Sequence, residues 1–191
     1  VCEPKEGDQR RRDETDGSFS PSGSLSASQS ESLGSVKSDG MSSSGYTFTA
    51  EGGELRQIEL DCTGMASASA PTPGLISEAS GSTQSGVAFR IEGGATLRYE
   101  ITVLASESSA GLDNSGTIGQ VFTSLRSNGA DRFFNDSNSQ LGNTRRGAAT
   151  GTLGAGQYFF NQACIAQVNA TEEDGGGPAN STARVRLTLT P

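Results

Sequence analysis

Histidine is absent from the 191 residues. That removes Ser-His-Asp and Cys-His nucleophilic chemistry and every His-ligated metal centre. Two carboxylates can still hydrolyse a glycoside, and Glu92 and Glu100 flank Gly93-Gly94 as though set across a hairpin. Paired carboxylates on solvent faces are far commoner than catalytic dyads, so the pair is read as surface charge and the chain as a non-enzyme. Gly151–Gly156 is a turn and not a phosphate loop, because no Gly-Lys-Ser/Thr follows and no helix begins there. Trp, the usual stacking platform for sugars, is missing too, and Tyr46, Tyr99 and Tyr158 fall on parities that belong to a core.

Oxygen-rich loops remain. Asp113-Asn114-Ser115-Gly116, Asp131 with Asn135-Asp136-Ser137-Asn138, and Glu172-Glu173-Asp174 offer the hard ligands calcium wants. None has the spacing of a known calcium loop, and Asx and Ser turns explain each cluster equally well. The expectation is no cofactor, with calcium as the one ion left open.

The three cysteines are Cys2, Cys62 and Cys164, without a Cys-x-x-Cys pair or any histidine, which argues against a zinc site. Cys62 follows Ile58 and Leu60 at alternate positions, and Cys164 shares a face with Tyr158, Phe160, Ala166 and Val168. Both point inward, as disulfide partners between packed strands or as two buried thiols. Cys2 lies in a polar leader and has three options: a bridge to another chain, a bridge to Cys62, or a free thiol.

A net charge of −8 argues against nucleic acid, whose recognition needs clustered cations. No apolar run approaches the roughly 20 residues that span a bilayer. Val1 in place of Met, with no basic and apolar leader behind it, fits a mature secreted chain, and equally a chain cut there by other means. Three N-x-S/T sequons, at Asn135, Asn169 and Asn180, are compatible with an extracellular or cell-surface location.

The elements that would carry these groups are strands. Hydrophobic residues make up 32% of the chain and 26 glycines fill the gap, a composition that favours strands and turns over helices. Residues 1–16 form a charged leader in which Arg10-Arg11-Arg12 sit among acidic neighbours. Thirteen serines between Ser18 and Ser44 have the composition of a linker. Even positions from Ser18 to Ser30 are all serine, whereas Phe19, Leu25, Ala27 and Leu33 hold the odd parity until Val36 breaks it. Such a strand carries too little side chain to hold itself in place, and it predicts an assembly arm that borrows the sheet edge of another copy.

From Gly45 onward alternation is regular. Val87, Phe89 and Ile91 lead through Gly93-Gly94 to Leu97, Tyr99, Ile101 and Val103, which predicts a hairpin. Eight to ten strands follow from the whole pattern. The chain is expected to be all-β: an arm over 1–44, then a two-sheet antiparallel sandwich over 45–191, jelly-roll-like.

The serine and alanine lead-in, the Val87–Val103 segment, "GTLGAGQYFFNQACIAQVNA" at Gly151–Ala170 and the closing "ARVRLTLTP" give the layout of a known family. Together they resemble the extracellular β-sandwich passenger of bacterial PEP-CTERM (exosortase-sorted) surface proteins, which share a G-x-L-x-x-G-x-Y turn before the penultimate strand. The family's Pro-Glu-Pro signal, apolar helix and basic tail do not follow Pro191, so processing has removed them or the chain is held differently. The resemblance implies a bacterial exterior and a matrix or surface role, and it brings no catalytic residues. The expected function is a self-assembling subunit of a filament, sheath or surface layer, partnered by copies of itself. The alternative is a monomeric adhesive or glycan-binding module.

Overall fold

In the computed structural model, residues 22–33, 35–71, 76–109, 117–138, 146–170 and 177–191 are described. They form ten strands: β1 (Ser22–Leu33), β2 (Val36–Glu51), β3 (Glu54–Ser69), β4 (Ser77–Ile91), β5 (Leu97–Ser109), β6 (Ile118–Ser127), β7 (Ala130–Asn138), β8 (Arg146–Leu153), β9 (Gly156–Ala170) and β10 (Gly177–Thr190). One sheet runs β1-β2-β3-β10-β5-β8 and the other β4-β9-β6-β7, with every pairing antiparallel. The pairings nest: β3 with β10, β4 with β9, β5 with β8, β6 with β7. That nesting, split over two facing sheets, defines a jelly roll, and the β1–β2 hairpin extends one of its sheets. No helix among the described residues is long and apolar enough to cross a membrane.

Period-two alternation becomes two different interiors. Over one half, Ile58, Leu60, Ile101, Val103, Leu125, Phe160, Val185 and Leu187 are fully buried between the sheets. Over the other, the interior is Ala66, Ala68, Ala70, Ala79, Ala166, Ala170 and Ala179 with Val168. Glycine completes the thin half. A Cβ built on Gly81 would lie 2.2 Å from the Met65 carbonyl oxygen and 2.3 Å from that of Met41, and one on Gly40 would lie 2.2 Å from the Ser80 oxygen. The sandwich is therefore a wedge: large side chains hold the sheets apart at one end, and backbone touches backbone at the other.

Two tight turns follow the rules for their type. Gly52-Gly53 joins β2 to β3 and Asn128-Gly129 joins β6 to β7, all four residues at positive φ, as a two-residue type I′ hairpin requires. Gly93-Gly94 does not follow them. Only Gly94 has positive φ, and the predicted hairpin is not formed: β4 pairs with β9, whereas β5 pairs with β10 and β8 in the other sheet. The segment is a crossover between sheets. Alternation tells which residues face inward, and both strands do face inward, but from opposite sides of the core.

The boundary drawn at residue 44 also falls away, because β2 runs through it from Val36 to Glu51 and pairs with β3 over that length. The arm is corrected in the same terms. Ser22–Leu33 pairs with Lys37–Thr47 and Val36 of its own chain, in register Leu25↔Ser44 and Ala27↔Ser42. Leu25 and Ala27 are half-buried on the inward parity, Leu33 ends the strand, and Val36 is 1% exposed in the thin interior. Phe19 lies outside the described residues. The serine-rich composition resembles a linker, but two such strands joined by a short turn satisfy each other's backbone locally.

Candidate ligand-binding face

Alternation leaves one strand face for solvent, and on the four-stranded sheet that outer face is unusually aromatic. In β9, Tyr158 and Phe160 point inward, so Phe159 between them points out and is 41% exposed. In β7 the same rule turns Phe134 outward, at 54% exposure, while Phe133 packs on the core. Phe122 of β6 lies beside Phe134, ring centroids 6.4 Å apart. Phe159 leans across the edge strand β4 at Gly86, where a Cβ would come within 2.6 Å of its Cζ. Glycine on an edge strand covered by a neighbouring aromatic is a pairing that fixes the ring. The same device recurs inside the sandwich with Tyr46 over Gly23 and Tyr99 over Gly151, but those rings pack on the core.

Polar groups stand between and around the exposed rings. Ser124 donates to Asn161 Oδ1 in a short bond between Phe159 and Phe134. Gln120 donates to Asp136 Oδ1 at 3.0 Å beyond Phe122. Arg126 donates to Asp131 at 2.7 Å, and Arg90 stands 3.6 Å from Glu92. A shallow depression of about 610 Å³ is bounded by Phe159, Ala88, Arg90, Arg126, Asn128 and Gln157. Strand spacing and rise place Phe159 and Phe134, two strands and one row apart, about 12 Å from each other. The face thus offers two rigid apolar platforms with amides, carboxylates and guanidinium groups between and beside them. A face of this kind can accommodate an extended amphipathic ligand.

A depression of about 590 Å³ on the other sheet's outer face is bounded by Glu59, Leu104, Ala148, Arg184 and Arg186. It has no aromatic residue, and its cations are engaged: Arg186 donates to Glu59 at 2.8 and 3.1 Å, with Arg184 3.6 Å from the same carboxylate. Elsewhere that face carries hydroxyl rows, such as Ser26, Ser43, Thr63, Thr182 and Ser106, together with exposed carboxylates such as Asp39 and Asp61 and the exposed cross-strand pair Met41–Met65.

The residues singled out by sequence are scattered. Cys62 and Cys164 are joined by a disulfide, Cα atoms 5.7 Å apart, linking β3 to β9 across the core. Glu92 lies in the crossover after β4, and Glu100 in β5 sits between Thr188 and Thr150; they are not a cross-strand pair. Asn135 does not fit the role of glycan acceptor, because its Nδ2 is enclosed and turned inward. Asn180 is half-buried and donates from Nδ2 to Ser108 Oγ at 3.3 Å, and Asn169 is half-buried with its Oδ1 enclosed. Of the oxygen-rich clusters, 113–116 and 172–174 lie outside the described residues. In the third, Asp131 and Asp136 are bound to Arg126 and Gln120, and the described residues contain no group of three or more metal-ligating side chains.

No protein-family model matches the sequence, and no curated protein does. Among solved structures the chain is similar to the CBM22-1 xylan-binding domain from Paenibacillus barcinonensis Xyn10C. The identity is 10%, 86% of this chain and 85% of that one are covered, and the TM-score is 0.20. That likeness is loose, and the jelly-roll assignment rests on the strand pairing.

Proposed function

We propose that the chain is a non-catalytic module of the cell exterior that holds a glycan on the outer face of its four-stranded sheet. The observation that carries the reading is Phe159, a ring fixed over Gly86 and left open on its other side beside a depression lined by arginine and amide groups. The C–H face of a pyranose is apolar and ring-sized, so it stacks on such a platform while its hydroxyls reach the polar groups alongside. A buried disulfide and the resemblance to exosortase-sorted surface proteins support the exterior location. Affinity electrophoresis through gels containing soluble neutral or acidic polysaccharides tests the reading. At least one polymer is expected to retard the chain, and Phe159→Ala is expected to weaken binding at least tenfold. If none retards it, or if Phe159→Ala and Phe134→Ala leave retardation unchanged, the face is not a glycan site.

A second reading, self-assembly into a filament or surface layer, is favoured by the outer edge of β1. No other described strand pairs with that edge, and its twelve residues contain neither proline nor bulge. Long flat edges are templates for another chain. Electron micrographs of the full chain would then show regular polymers, and removal of residues 1–34 would abolish them. Discrete particles from the full chain would dispose of this reading.

A further inference from the structure

One row of side chains inside the sandwich is polar across all four strands of the smaller sheet. Ser85 of β4 is in register with Gln162 of β9, Gln162 with Thr123 of β6, and Thr123 with Asn135 of β7. All four lie on the inward parity. Ser85 Oγ, Gln162 Oε1 and Nε2, Thr123 Oγ1 and Asn135 Nδ2 are enclosed and have no hydrogen-bond partner in the protein. Gln162 and Thr123 are fully buried.

No neighbouring side chain bonds to these atoms. The next row on one side is Val87, Phe160, Leu125 and Phe133, and on the other the register positions are Thr83, Cys164, Val121 and Ser137. In the other sheet the row Leu60, Val185 and Val103 belongs to the same buried cluster as Phe160, Leu125 and Val121. At the β7 end Asn135 Nδ2 lies 3.7 Å from where a Cβ on Gly147 would stand. Each enclosed, unsatisfied polar atom costs on the order of 1–3 kcal/mol. Five of them would consume much of the roughly 5–15 kcal/mol that a domain's net stability amounts to.

Geometry supplies the resolution. Neighbouring strands are about 4.8 Å apart, and no neighbouring pair in this row bonds directly, whereas Ser124 and Asn161 on the outer face of the same strands do. Two hydrogen bonds of about 2.8 Å meeting at a tetrahedral oxygen span about 4.6 Å. We propose that the Ser85–Gln162–Thr123–Asn135 row is a binding site for a file of ordered water, one molecule bridging each neighbouring pair. Each water then has a partner on both sides, as buried water requires. The file runs from one edge strand of the sheet to the other, and it exchanges with solvent at the Ser85 and Asn135 ends. The amide pairs of Gln162 and Asn135 both donate and accept, so the row accommodates either orientation of the waters.

The direct test is water-to-amide magnetisation transfer by NMR on the full chain. Long-lived water cross-peaks to the Gln162 and Asn135 side-chain amides are expected, and their absence overturns the proposal. Gln162→Leu and the near-isosteric Thr123→Val give an independent reading by thermal unfolding. With waters bound, each variant strands its neighbours' bridges, and Tm falls by several degrees. With a dry row, each variant removes an unsatisfied group, and Tm stays level or rises, which contradicts the proposal.

Discussion

Replacing Gly81 by valine is expected to disrupt the thin half of the sandwich and to lower stability by about 3 kcal/mol or more. The position offers a side chain no room. Its Cβ would fall 2.2 and 2.3 Å from two carbonyl oxygens of the facing sheet, on β3 and β2, and 2.9 Å from the Met65 nitrogen. Those atoms belong to strands paired along their lengths, so relief requires the sheets to separate. Separation opens the Ala66, Ala68, Ala79 and Ala166 contacts as well. For a domain of this size about 3 kcal/mol corresponds to roughly 6–12 °C in Tm. Gly154→Ala is the matched control: nothing lies within 4 Å of its Cβ position, and its effect is expected within about 0.5 kcal/mol. Equal stability of the two variants in urea or thermal melts would mean that the sheets do not touch there.

Removing the Cys62–Cys164 bridge is expected to cost about 2–5 kcal/mol. The two residues are 102 apart in sequence, and closing a loop near 100 residues constrains the unfolded chain by about 4.7 kcal/mol in the chain-entropy account. Both cysteines are almost fully enclosed, so reductant is expected to leave the native protein intact and to act only once it opens. A Cys62→Ala/Cys164→Ala chain should melt roughly 10 °C lower than the oxidised chain. A double variant as stable as the parent, under oxidising conditions, would remove the bridge from the account.

Much of this architecture was legible residue by residue. Ile58, Leu60 and Cys62, or Val185, Leu187 and Leu189, announce their inward parity, and the structure buries each of them. Phe159 and Phe134 were not singled out from the sequence, although a signal is there: in Tyr158-Phe159-Phe160 and Phe133-Phe134 alternation forces one ring outward, and those rings make the candidate face. What alternation does not encode is the partner. Gly93-Gly94 fits a hairpin and a crossover equally from its residues, and only the choice of sheet separates them. The Ser18–Ser44 segment was read as linker-like because composition measures side-chain burial, while its described part, from Ser22 on, is held by backbone pairing of β1 to β2 and β2 to β3 and by close glycine contacts. The polar row is the extreme case. Ser85, Gln162, Thr123 and Asn135 are unremarkable one at a time, and only register across three pairings brings them into line.

The measurement that bears most directly on the glycan reading is an amide chemical-shift map of the labelled chain, titrated with whichever polysaccharide retards it in a gel. The account predicts perturbations on one face: Gly86 and Ala88 in β4, Phe159 and Asn161 in β9, Arg126 in β6 and Phe134 in β7. Perturbations centred on Met41, Met65, Leu104 and Arg184, across the other sheet, would contradict it.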